Sequence, residues 1–174
     1  MSDSLSARPL VLEQARCLRD VYVPRLEQAL LALPPGDRWW RPHPGVISFG
    51  TVLLHLAGNV RQWITCGIGG APDGRDRAAE FAATDGPEGG VLLARLKATV
   101  EEAAAVIEGL DGAALERTYR IQGSPVTGLY AVSHVVEHFA WHTGQAVWIA
   151  KARAGAGHGL AFYDEARVNA AKNG

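Results

Sequence analysis

Cysteine is nearly missing from this sequence: Cys17 and Cys66 are the only two, and one pair does not make a disulfide framework. An excess of either charge is missing too. The 17 Lys and Arg residues stand against 18 Asp and Glu, for a net charge of −1 with no basic cluster, which argues against a phosphate-binding surface for nucleic acid. The opening MSDSLSARPL holds no apolar run, so no signal peptide is expected. No membrane span is expected either, because the most apolar stretch, residues 126–150, contains Glu137 and three histidines. Neither internal repeats nor a β-hairpin signal is found. What remains is 48% hydrophobic and 20% charged over 174 residues, the balance of a single globular domain able to bury a full core. The expectation is a cytoplasmic protein with reduced thiols, one domain over residues 1–174, with a core at about 8–153 and a tail over 154–174.

Four segments carry the three- and four-residue apolar spacing of helices. The first covers about 8–33, with a stripe of Leu12, Ala15, Arg19, Tyr22, Leu26, Ala29 and Leu33; Pro24 lies off it and should kink the helix without ending it. The others cover about 47–66, 88–110 and 126–153. The connection over 67–90 is long enough to run the length of a helix and return, so helices two and three can lie parallel. In it, Arg75, Asp76 and Arg77 read as a solvated loop tied by local ion pairs rather than as a cap on a cleft.

Charge divides these helices. Helices one and three have ordinary solvated faces, whereas Arg61 is the only charged residue of helix two and Glu137 the only one between 126 and 150. Helices two and four should therefore be mostly hidden. A helix turns about 100° per residue, which puts His134, His142 and Gln145 within about 40° of His138, and Ser48, Thr51, Asn59 and Gln62 within about 40° of His55. Neither stripe carries a charge, which suits a partly enclosed polar cleft better than a solvent face. A lone buried histidine is usually a satisfied core residue, and His43 and His158 are read as structural or surface residues. Three in register on one nearly uncharged helix need partners, and a metal ion supplies them. Histidines four residues apart converge on one ion, but His134 and His142 lie about 12 Å apart along the axis, so one adjacent pair would bind together with a ligand from elsewhere. His55 is the only histidine on another long helix.

Taken together, VLLHLAGNVRQWI and HVVEHFAWHTGQAVWIAK resemble the DinB/YfiT-like superfamily of metal-binding four-helix bundles, over about residues 8–153. PRLEQALLAL with WWRP, and GRDRAAEF, look like a branch without an assigned reaction. The resemblance implies an all-α bundle running up-down-down-up, with one divalent ion on His55, His138 and His142. His134 becomes a residue that lines the cleft or supports a ligand, with Thr51, Asn59, Gln62, Trp63, Trp141 and Gln145 nearby. The family's usual Arg after the last ligand is Thr143 here.

Three imidazoles leave an open position, as catalytic sites do. All-nitrogen ligation suits zinc or nickel, with iron or copper as alternatives. Relatives of this fold include bacillithiol and mycothiol S-transferases, so the resemblance favours a transferase that activates a low-molecular-weight thiol. The competing readings are a hydrolase that uses a metal-bound hydroxide and a non-catalytic, stress-related metal- or ligand-binding protein. Hydrolases with two histidines on one helix pair the ion with a glutamate base, and neither stripe has a carboxylate; Glu137 points about 100° away from His138. The expected partners are a small-molecule substrate and a second copy of the chain. The homodimer is expected from Phe49, Leu56 and Trp63 on helix two and Leu129, Val136, Ala140 and Val147 on helix four, which would otherwise expose a large apolar surface.

Overall fold

A computed structural model describes residues 7–170. The first long helix comprises α1 (Arg8–Arg16), a π-helical stretch (Cys17–Tyr22) and α2 (Val23–Ala32). Pro24 has no N–H to offer the carbonyl one turn earlier, and the turn before it widens so that the Val23 amide reaches the Leu18 carbonyl. The helix continues through the proline, as expected, but the widened turn inserts a residue into its register. The buried stripe is Val11, Ala15 and Leu18, then Val23, Leu26, Ala29 and Leu33. Leu12, expected inside, is 37% exposed. Arg19 instead pairs with Glu101 and Glu108.

Helix two is α3 (Phe49–Val60) followed by a second π-helical stretch (Arg61–Cys66), and it begins where the Ser48 hydroxyl accepts from the Thr51 amide at 3.1 Å. The long connection holds a six-residue helix, α4 (Arg77–Ala82), capped by Asp76, whose carboxylate accepts from the Ala79 amide. Helix three is α5 (Gly89–Glu108). A short α6 (Gly112–Glu116) and a two-stranded hairpin, β1 (Thr118–Ile121) and β2 (Ser124–Thr127), lead into helix four, α7 (Gly128–Ala154). The tail ends in α8 (Glu165–Ala170).

The hairpin corrects the expectation of none. Its two-residue turn, Gln122–Gly123, puts both residues in the left-handed region, with φ of 51° and 81°. This is the backbone that Asn-Gly or Asp-Gly normally announces, and Gln-Gly announces it only faintly. Four-residue strands interrupted by Pro125 show too little alternation to read. The hairpin delivers Ile121 into the core.

The four long helices enclose one core. Arg8, at the start of helix one, donates to the carbonyls of Leu110 and Glu108 at the end of helix three. Arg61 pairs with Glu102, Gln14 reaches Ser133, and Tyr22 stacks with Phe139. Trp63, late on helix two, packs on His134, early on helix four. Helices two and four are largely hidden, and the bundle itself covers most of the surface assigned above to a partner. Phe49 and Leu56 are fully buried and Trp63 nearly so, while Leu129, Val136 and Val147 pack half-buried against the core. The large apolar groups left outside on α7 are Tyr130, Trp141 and Trp148. No helix among the described residues is long and apolar enough to cross a membrane.

Candidate metal centre

The register of α3 and α7 brings His55, His138 and His142 to one point. One ring nitrogen from each lies within 4.8 Å of the others, and His55 Nε2 is 3.1 Å from His138 Nε2. Such spacing suits three ligands of a single ion, because nitrogens each about 2.1 Å from a tetrahedral zinc sit a little over 3 Å apart. His138 Nδ1 and His142 Nδ1 are buried with no hydrogen-bond partner, and the donor set, three imidazoles converging on one point, is one that divalent zinc or nickel accepts. The residues present therefore fit a divalent ion.

On α7 the surroundings favour the neutral imidazole, the form that coordinates. Burial, together with the neighbouring His142 and His55, pushes the His138 imidazole down to about 3. His142 is lowered by burial and by His55, against a smaller upward pull from Gln145. His134 is lowered by burial, with Glu137 opposing. His134 does not join the trio: its ring lies on Trp63 with centroids 4.0 Å apart, and 5.7 Å from His138.

The remaining polar-stripe residues divide between two sides. Trp141 and Gln145 border the open side, a cavity of about 550 Å³ lined also by Gly45, Val46, Ile47, Phe81, His138 and His142. No carboxylate lines it. Asn59 is buried and its Oδ1 has no partner. Thr51 belongs to the start of α3, where its hydroxyl meets Ser48 and accepts from Arg41. Thr143 is buried and donates to the Phe139 carbonyl within its own helix. Gln62 lies on the far side of helix two, donating to Asp73 and accepting from Arg75 and Gln122.

On that far side the sequence reading missed two residues. Glu80 of α4 places Oε2 2.9 Å from His55 Nδ1, and Arg75 grips the same carboxylate. Arg75 is therefore not part of a solvated loop: its side chain is 4% exposed and Glu80's 11%. Arg77, as expected, stays outside, over the Phe81 ring, which itself packs 4.6 Å from His55. Burial pushes the Glu80 carboxyl up, but the hydrogen bonds from Arg75 and His55 outweigh it and hold it below the usual carboxylate range.

The sequence profile of the DinB superfamily matches residues 23–146. Among solved structures, a DinB-like protein from Bacillus subtilis superposes with a TM-score of 0.59 at 17% identity, covering 82% of this chain and 91% of the other. At that identity the likeness speaks for the fold. No curated protein matches the sequence.

Proposed function

Because the chain belongs to the DinB superfamily, we propose that it holds one divalent ion, zinc or nickel, on His55, His138 and His142 and transfers a low-molecular-weight thiol to an electrophile. A cation held there supplies positive charge that lowers the pKa of a thiol brought beside it. The observation that carries this reading over the hydrolase is the open cavity, which has histidines and Gln145 but no carboxylate to serve as a general base. Glu80 does not fill that role, since it meets His55 from behind, in an ion pair with Arg75.

The chain's own residues do the rest. The three imidazoles bind, and burial favours the neutral, coordinating form of His138 and His142. Val46, Ile47, Phe81 and Trp141 exclude water and receive the apolar part of the electrophile, while the Gln145 amide supplies a polar contact. The thiol gives its proton to solvent at the open mouth. The sulfur's electron pair forms the new bond, and the leaving group departs with its own pair.

The same reading takes the bundle as up-down-down-up. The contact of Arg8 with the end of helix three, of Arg61 with Glu102, and of Tyr22 with Phe139 all suit that order. It also includes a homodimer, now centred on the exposed Trp141 and Trp148 rather than on helix two.

The test is a panel of bacterial thiols and electrophiles, run beside esters and amides, with protein loaded with zinc or nickel. Thiol conjugation that needs the ion is the expected result. Ester or amide hydrolysis without conjugation makes the protein a hydrolase, and inertness toward both panels makes it a binding protein.

A further inference from the structure

The back of His55 is built with more parts than closing a loop requires. Arg75 holds Glu80 with two prongs, Nε to Oε1 at 2.7 Å and Nη2 to Oε2 at 2.8 Å, and its Nη1 donates to Gln62 Oε1 at 2.9 Å. Asp73 braces the loop by accepting from Gln62 at 2.7 Å and from the Arg75 amide at 3.0 Å. Helix two makes room for the pair with a glycine. A Cβ on Gly58 would lie 1.9 Å from Glu80 Oε1 and 2.8 Å from Arg75 Nε. Taking an ion pair out of water is costly, and a loop free to solvate both groups would avoid that cost.

The decisive atom is His55 Nδ1. It lies 2.9 Å from a carboxylate oxygen of Glu80, an acceptor, and 3.1 Å from Nη2 of Arg75, a donor. Only one of these can be its hydrogen-bond partner, and the choice fixes the tautomer. With the proton on Nδ1, donated to Glu80, the Nε2 lone pair faces His138 and His142. With Nδ1 accepting from Arg75, the proton sits on Nε2 and blocks coordination.

We propose that the segment from Asp73 to Phe81 is a clasp in which Glu80, held by Arg75, is the positioning residue for His55, fixing the Nδ1–H tautomer and so setting the affinity for the ion. This rests on the reading of His55, His138 and His142 as the metal site. A carboxylate at Nδ1 also makes the opposite nitrogen a stronger donor to a cation. Arg75 keeps Glu80 from turning into the site as a ligand itself. It becomes an adversary when Glu80 is removed, because it is then the remaining partner of Nδ1.

The experiment measures zinc affinity by competition with a chromophoric chelator, and the His55 tautomer by long-range nitrogen–proton NMR of the metal-free protein. Glu80→Gln, which still offers an amide oxygen, should weaken zinc by about tenfold, and Glu80→Ala by about 100-fold, the span typical of groups that orient ligands. The double variant Glu80→Ala with Arg75→Ala should bind more tightly than Glu80→Ala alone, a recovery that simple loss of packing would not give. Gly58→Ala keeps every polar group, and it should behave like Glu80→Ala should that variant fold poorly. Wild-type His55 should carry its proton on Nδ1, moving to Nε2 in Glu80→Ala. An Nε2–H tautomer in the wild type, or Glu80→Ala binding zinc like the wild type, overturns the clasp. Wild-type protein that binds no divalent ion overturns the metal reading itself.

Discussion

Replacing His142 by Ala and, separately, His134 by Ala distinguishes the two adjacent pairs that α7 offers. The ring of His142 lies 4.9 Å from that of His55 and 4.5 Å from that of His138, whereas the ring contacts of His134 run to Trp63, Tyr130 and His138. Structural zinc on four ligands is worth about 10 to 16 kcal/mol, or about 2.5 to 4 kcal/mol per ligand. At about 1.4 kcal/mol per decade, losing one ligand costs about 100- to 1000-fold in affinity. His142→Ala should show a loss of that size. His134 stacks on its neighbours rather than hydrogen bonding to a ligand, so His134→Ala should cost about tenfold, the lower end for residues that support ligands. Chelator competition gives both constants, and the visible spectrum of the cobalt-substituted protein reports whether a ligand has been lost. The reasoning fails if His134→Ala loses as much as His142→Ala, or if His142→Ala stays within tenfold of wild type. Either result would move the pair one turn toward the start of α7.

Three further outcomes are expected. Phe139 is fully buried and stacks on Tyr22, so Phe139→Ala should lower unfolding free energy by about 3 to 5 kcal/mol, checked by urea titration at constant m. In metal-free protein, His138 is held at about 3 by burial and by His142 and His55, while an unfolded histidine takes its proton near 6.5. Above pH 6.5 neither state is protonated and this contribution is complete; as pH falls toward 3 the unfolded chain takes up a proton that the native one refuses, and stability is lost. By pH 5 the loss should be up to about 2 kcal/mol, and a melting temperature equal at pH 7 and pH 5 in chelator would contradict it. Light scattering at micromolar concentration should give twice the 18.6 kDa chain mass, and replacing Trp141 and Trp148, which are 73% and 60% exposed, with Ser should return the monomer; a wild-type monomer removes the dimer from the reading.

Residues belonging to a long, regular helix were legible in the sequence. The faces that carry His55 on one helix and His134, His138 and His142 on another could be picked out because a helix of fixed pitch converts spacing into a face, and the lack of charge marked those faces as enclosed. Spacing left open which adjacent pair joins His55, and only the family resemblance pointed to His138 and His142. The same rule misplaced the first half of helix one, because a widened turn before Pro24 shifts the register by a residue, and spacing alone cannot show where a turn widens. The hairpin was missed because its strands have four residues each and its turn uses Gln where Asn or Asp would have signalled it.

Glu80 was out of reach for a different reason. It sits on a six-residue helix, too short for any periodicity, and meets a histidine twenty-five positions earlier. Its partner Arg75 lies in a run of alternating charges that reads as solvent-exposed. The usable signal was on the other side of the contact. Gly58 stands in the middle of helix two, where glycine costs about 1 kcal/mol relative to alanine, and such a residue marks a close approach by something else. What approaches is the carboxylate of Glu80, at a distance no side chain on residue 58 would allow. The glycine and the ion pair are therefore one feature written in two places, and together they turn the long connection from a crossing into the support of the candidate ligand on helix two.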